Sequence, residues 1–178
     1  MPPLRDLVVA KWTNAYYGAL LAFILQNKGL FDDTRTIKRE PSLIRNAGFG
    51  VFAKRSIKEG EKVGSLIGRL VRRSSKSKSL CAIGGKFAPY CAMDAFTGPQ
   101  LLGGKVLGHF ANDPRGTPNE ANAYLKRNVG ITERNEKVWF YTLVALRSID
   151  QGEEILVDYG AAYWQREDDD GDDDARSL

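Results

Sequence analysis

Two stretches of this chain echo one another: Ala53-Lys54-Arg55-Ser56-Ile57-Lys58-Glu59-Gly60-Glu61-Lys62-Val63 and Ala145-Leu146-Arg147-Ser148-Ile149-Asp150-Gln151-Gly152-Glu153-Glu154-Ile155. Each reads as a strand, then a tight turn in which Gly60 or Gly152 is free to take a positive φ, then a second strand. Two copies do not make a solenoid, which needs several stacked units to bury a continuous core. They constrain the chain to two similar β-corners, one before and one after a central loop.

That loop begins at Leu107-Gly108-His109-Phe110-Ala111-Asn112-Asp113-Pro114, continues through Arg115-Gly116-Thr117-Pro118, and ends at Asn119-Glu120-Ala121-Asn122-Ala123-Tyr124. An apolar lead-in gives way to Asn, Asp, Pro and Gly, which bond nearby backbone or fix unusual dihedrals, before apolar residues resume. Asn112, Asp113, Asn119 and Asn122 would present amide and carboxylate groups from one loop. Such a set suits a polar ligand, and it equally suits the closing of turns.

Before the first corner, Leu4, Leu7, Val8, Trp12, Tyr16, Leu20, Ala22, Phe23 and Leu25 recur close to helical spacing and Gly29 stops the run. This predicts one amphipathic or largely buried helix. Its most apolar part, residues 15–25, is far too short to span a bilayer. Asp32 to Pro41 is polar and reads as a linker or an exposed crossing. From Leu43 onward short apolar pieces alternate with glycine, the texture of strands and turns. Strands are expected at Val51 to Ala53, Val63 to Val71, Tyr90 to Ala95 and Ile155 to Val157. A hairpin is expected from Tyr124 to Thr132 and Lys137 to Leu146, turning at Glu133-Arg134-Asn135-Glu136. Arg72 to Ser79 is basic and serine-rich, and reads first as a surface loop, with a targeting or phosphate-binding patch as the alternative.

At 178 residues, with 43% hydrophobic and 27% charged positions, the chain fits one globular domain and excludes wholesale disorder. Cys81 and Cys91 are too few for a disulfide framework or a zinc site, so a reducing compartment, nuclear or cytoplasmic, is expected. Arg5, Asp6 and Lys11 interrupt any secretory signal pattern. The formal charge of +4 hides an asymmetry: Glu167 to Asp174 hold seven acids and Arg176 one base, which leaves 25 bases against 15 acids in residues 1–166. A body of +10 favours encounters with nucleic acid, chromatin or acidic proteins, and the acidic segment reads as a solvated tail.

Taken in order, these pieces resemble SET-domain protein lysine methyltransferases over roughly residues 42–164. The resemblance rests on four features in the family's order: the glycine-pair turn Ala47-Gly48-Phe49-Gly50-Val51-Phe52-Ala53 followed by Ile57 and Gly60-Glu61; Ser65-Leu66-Ile67-Gly68, a strand ending in glycine; Phe110-Ala111-Asn112-Asp113 with Pro118-Asn119 or Ala121-Asn122, matching an Asn-His loop with a nearby Pro-Asn; and Arg147 to Tyr159, matching a Gly-Glu-Glu corner that leads to Asp-Tyr. The implied fold is mainly β, a β-rich α+β arrangement: a SET-type β-clip of several small sheets with a threaded C-terminal segment, plus the N-terminal helix. The implied organisation is helix and linker at 1–41, a SET-like catalytic domain at 42–164 and an acidic tail at 165–178.

The resemblance implies S-adenosylmethionine as cofactor, no metal, and transfer of methyl to a lysine of a protein substrate, with a histone or nucleosome as first guess. Carried over residue by residue, it puts Gly48, Phe49 and Gly50 along the cofactor, where glycine lets backbone approach closely. Asn112 would bond the cofactor's amino-acid end, with His109 and Asp113 beside it, and Trp164 would cover the adenine. Leu66, Tyr124, Val157 and Tyr163 would line the substrate side. Tyr159 matches the family's channel tyrosine. With a reference pKa of about 10 it is protonated at neutral pH, so its expected work is positioning and hydrogen bonding rather than proton abstraction. This sequence departs from the family pattern at Asp113, where members carry histidine, and at Leu66, where many carry tyrosine. Acidic residues such as Asp94, Asp113 or the tail would meet a basic substrate. The second reading is a catalytically degenerate SET-fold module that binds chromatin or, weakly, nucleic acid through its basic body.

Overall fold

The computed structural model of the chain describes residues 4–72, 80–82, 91–94 and 102–160, with side chains in 15–68 and 102–160. Among the described residues one α-helix, α1 (Leu4–Gln26), is followed by eight strands: β1 (Ile37–Pro41), β2 (Phe49–Ala53), β3 (Lys62–Leu66), β4 (Arg69–Arg72), β5 (Leu80–Ala82), β6 (Cys91–Asp94), β7 (Ala123–Ile131) and β8 (Lys137–Ala145). They form three small antiparallel sheets, β1-β2, β3-β8-β7 and β4-β6-β5. Among the described residues no helix is long and apolar enough to cross a membrane.

The expected hairpin is β7-β8, in register from Ala123↔Ala145 to Ile131↔Lys137. Its turn closes on Thr132, whose backbone donates to Glu136 O at 3.0 Å and whose hydroxyl accepts from Glu136 N at 3.0 Å, with Asn135 at φ 59. β8 runs between β3 and β7, and most of its residues from Val138 to Ala145 are buried. That position explains its nearly unbroken apolar run, since a strand covered on both faces has no solvent side to alternate with.

α1 is built into the core. Tyr16, Leu20, Phe23 and Ile24 are buried with Phe31, Leu66, Ile67, Val138 and Phe140 in one cluster. The Tyr16 hydroxyl donates to Trp139 O at 2.6 Å and accepts from Trp139 N at 3.1 Å, which satisfies both of its roles. Burial pushes its phenol up to about 12, against the opposing bond to Trp139. Phe23 packs on Phe31 and Phe140, with ring centroids 6.1 and 5.7 Å away.

The segment expected to be a polar linker is structured. Asp33 is 2% exposed, and its Oδ2 accepts from Ser65 N at 2.9 Å and Leu107 N at 2.8 Å. Residues 37–41 form β1, paired with β2 from Ile37↔Ala53 to Pro41↔Phe49. Only Ile37 of this strand is buried, so its Lys-Arg-Glu centre carries no apolar alternation to betray it. The strand expected to run unbroken from Val63 to Val71 is two, β3 and β4, parted at Ile67-Gly68 where Ile67 is fully buried.

The echoing corners fold against each other. Ala53 N donates to Glu153 O at 2.9 Å and Ala145 N to Glu61 O at 3.0 Å; Gly152 N donates to Ala53 O at 2.8 Å and Gly60 N to Ala145 O at 2.9 Å. Every bond has a mate in the other copy, which makes a local pseudo-two-fold. Gly60 and Gly152 take φ 76 and 86 as the turns require. The second core cluster lies here, around Val51, Ile57, Val63, Leu143, Ile149, Ile155 and Val157.

Threading is visible in the hydrogen bonds of residues 155–157. Leu156 O accepts from Asn122 N and Ala123 N, each at 3.0 Å, while Val157 N donates to Asn112 O at 2.8 Å. The C-terminal segment therefore passes between the two ends of the central loop, a SET-type arrangement.

Candidate active site

Where the threaded segment leaves the loop it carries Tyr159. The phenol donates to Ala111 O at 2.7 Å, and the Tyr159 backbone N–H donates to Asp113 Oδ2 at 2.7 Å. Asp113 Oδ1 accepts from Arg115 N at 2.7 Å, so this carboxylate ties its own loop and the threaded segment together. Gly160 follows at φ 79, its N–H on Asp158 Oδ1 at 2.7 Å, which turns the chain directly after the tyrosine.

Next to it, Asn112 faces β2. Its amide nitrogen donates to Phe49 O at 3.1 Å and to Glu154 Oε1 at 3.3 Å. Flipping the amide would set oxygen against oxygen at both places, so the orientation is fixed by its neighbours. Both donor hydrogens are thus committed, and the oxygen is what Asn112 offers to a ligand. Glu154 is 5% exposed and also accepts from Ser42 Oγ at 2.6 Å and Leu43 N at 2.8 Å. A Cβ built on Gly50 would lie 2.1 Å from Glu154 Oε1. A side chain at 50 would therefore displace the Glu154 carboxylate from its present place, a packing demand that stands beside the ligand approach expected of this glycine. Gly48 fits the turn expectation, with φ 73 and open space where a Cβ would go.

His109 sits in the short helical turn Gly108–Phe110 that leads to Ala111. Its Nε2 lies 2.7 Å from Ile67 O, so the ring braces the break between β3 and β4. Burial depresses its pKa to about 4, with the bond to the Ile67 backbone opposing the shift. The ring is neutral at physiological pH, a brace rather than a charged group. Gly108 lies against Ser65, where a Cβ would meet Ser65 O at 2.3 Å.

Of the remaining expected residues, Val157 is buried in the corner core and Leu66 in the helix-side core, while Tyr124 is 42% exposed on β7. Phe49 is half exposed and carries Arg39 over its ring at 3.9 Å; the same guanidinium lies 4.6 Å over Phe110. Tyr163, Trp164, the acidic tail, the side chain of Asp94 and the serine-rich stretch from residue 73 lie outside the described residues. Of the two asparagines that fitted the Pro-Asn near the loop, the buried one is Asn122, which donates to Glu154 O at 2.8 Å and accepts from Leu156 N at 2.9 Å.

A family model of the SET domain matches residues 48–160, well over half of the chain. The chain belongs to the SET-domain family. No curated protein matches it. Among solved structures, a Plasmodium falciparum protein described as a candidate histone methyltransferase is similar over 72% of this chain and 96% of its own length, at 19% identity and a TM-score of 0.46. The SET-domain match takes in Gly50, Asn112, Glu154 and Tyr159, and begins after Asp33, Arg39 and Ser42. Sequence reasoning missed those three and the place of Glu154. Glu154 was legible as the second glutamate of the Gly-Glu-Glu corner, but nothing local said that its carboxylate would face Gly50 and Asn112.

Proposed function

We propose that this SET-domain chain is an S-adenosylmethionine-dependent protein lysine N-methyltransferase, with a histone as the first substrate to try. The observation that carries the reading is Tyr159, its hydroxyl held 2.7 Å from Ala111 O at the exit of the threaded segment, directly beside Asn112. The residues fit the cofactor's chemistry. Asn112 has only its oxygen to give, and an ammonium is a donor; the buried Glu154 carboxylate lies 3.3 Å from the same amide and favours positive charge there. When bound, S-adenosylmethionine supplies the methyl carbon of a sulfonium, which a neutral amine attacks in line.

What the chain contributes is placement. Gly48 to Gly50, Asn112 and Glu154 hold the amino-acid end. Tyr159 orients the lysine amine through its hydroxyl oxygen, while its hydroxyl proton is donated to Ala111 O. Leu66, Tyr124, Val157 and Tyr163 are proposed for the lysine side and Trp164 for the adenine. His109 and Asp113 enter by fixing loop geometry. The number of methyls added follows from channel width at Val157 and Leu66.

The test is transfer of label from S-adenosylmethionine to a panel of core histones, nucleosomes and ribosomal proteins, with Tyr159→Phe alongside. Label on lysine that drops by about 100-fold or more in the variant is expected. Tight DNA binding with no transfer to any member of the panel would favour the second reading, a binding module using the +10 body.

A further inference from the structure

The two oxygens of Asp113 do different work. Oδ1 on Arg115 N closes a local turn, which an Asp or Asn at many loop tips does. Oδ2 on Tyr159 N reaches a residue 46 positions away, which turn closure does not need. The last ladder bond of the threaded segment is Val157 N to Asn112 O, and no named strand includes Tyr159. From there the tyrosine is held at two points by one short piece of loop, its backbone by Asp113 and its hydroxyl by Ala111. The turn to Arg115 fixes the carboxylate, and the carboxylate fixes the backbone from which the phenol projects.

We propose that Asp113 is the positioning residue for Tyr159, clamping the backbone that aims the phenol at the lysine amine. The inference rests on the methyltransferase reading, and it recasts a departure from the family's histidine as a part of the working site. A carboxylate suits the task because both bonds need acceptors and it has nothing but acceptors; asparagine offers one oxygen and alanine none.

The experiment uses the full chain as Asp113→Ala, Asp113→Asn, Tyr159→Phe and the Asp113→Ala/Tyr159→Phe double variant, on whichever protein of the panel accepts label best. Asp113→Ala should lower kcat by about 100-fold while the KM for S-adenosylmethionine stays within about threefold, with Asp113→Asn between. Because Asp113 acts through Tyr159, adding Asp113→Ala to Tyr159→Phe should cost less than about threefold more. Hydrogen exchange at the Tyr159 amide should accelerate by about tenfold or more in the Asp113 variants, with the Val157 amide unchanged. Losses that multiply in the double variant, a defect confined to cofactor KM, or unchanged exchange at Tyr159 would overturn the proposal. Should Asp113→Ala fail to fold, Asp113→Asn carries the same cycle. A wild type inactive on the whole panel, with exchange still accelerated in the variants, sinks the methyl-transfer reading and leaves the clamp standing.

Discussion

Ile57 and Ile149 exchange both of their backbone hydrogen bonds, 2.9 Å in each direction, at the centre of the paired corners. Both are buried to 1% exposure or less. The repeat seen in the sequence is thus one half of an interface that needs the other half. Around it the decoration repeats as well. Arg55 bonds Ser56 O and Glu61, and Arg147 bonds Ser148 O and Glu153. Those ion pairs are exposed and add little energy; the burial of the isoleucines and the paired backbone bonds hold the corners.

The pseudo-two-fold predicts matched costs for matched substitutions. A Cβ on Gly60 or Gly152 would meet nothing within 4 Å, so replacement by alanine tests the backbone alone. Each should cost about 1 kcal/mol, the penalty of the left-handed region, and the two should agree within about 0.5 kcal/mol. Urea unfolding of the two single variants checks this. A cost at one corner several times that at the other would show that the corners are not equivalent.

Gly130 answers a different demand. A Cβ there would lie 2.3 Å from Phe23 Cζ, so the glycine on β7 makes room for a ring from α1. Gly130→Ala should cost about 1–3 kcal/mol by overpacking, and much of that should vanish in a Phe23→Leu background. Tryptic cleavage at Lys28 should quicken as the helix loosens. If Gly130→Ala is neutral in thermal unfolding, the Phe23 ring yields to the added methyl and the glycine is not there to seat it.

What the sequence disclosed and what it hid follow from the range of the interactions involved. The corners, the β7-β8 hairpin and α1 declare themselves through local patterns: a glycine at a turn, apolar runs, helical spacing. β1 is hidden because it borders a single strand and buries one side chain, Ile37. Asp33 looks like linker because nothing local announces that Ser65 and Leu107 will present their N–H groups to it. The site divides in the same way. Asn112 and Tyr159 are legible as family motifs, whereas the carboxylate of Glu154 over Gly50, the clamp at Asp113 and the choice of Asn122 over Asn119 depend on threading, which no periodicity encodes.

Acid should loosen the central loop through His109. Its folded pKa of about 4 lies below the ordinary value of 6.5, because burial disfavours the charged ring. The neutral form is the folded form, so the contribution is complete above pH 6.5 and is lost as pH falls from there to 4. The shift corresponds to at most about 3 kcal/mol. Asp33 works the other way: burial raises its pKa, so its burden eases as it takes up a proton in acid, which offsets part of the loss. Unfolding free energy measured from pH 7 to 4 should therefore drop in the wild type and stay flatter in His109→Gln. Parallel curves would remove His109 as the cause.

Gly50 gives the sharpest test of the site's construction, because two explanations of one glycine make opposite forecasts. If Gly50 is glycine only so that a ligand can approach the backbone, Gly50→Ala should weaken cofactor binding and leave the free protein's stability alone. The geometry favours the other account. The added Cβ would fall 2.1 Å from Glu154 Oε1, 2.9 Å from Glu154 Cδ and 3.3 Å from Asn112 Nδ2, all within the protein itself. The carboxylate would have to leave Ser42 and Asn112, and the amide that it orients would be freed to turn. Gly50→Ala should then cost about 1–3 kcal/mol in the free protein. Glu154→Ala should be costly too, since it removes the common acceptor of Ser42 Oγ, Leu43 N and Asn112 Nδ2. The double variant settles the matter: once the carboxylate is gone the Cβ has room, so Gly50→Ala should add little to Glu154→Ala. Urea midpoints of the four proteins, measured without cofactor, give the coupling directly. Strictly additive costs would mean that Gly50 and Glu154 do not compete for one space.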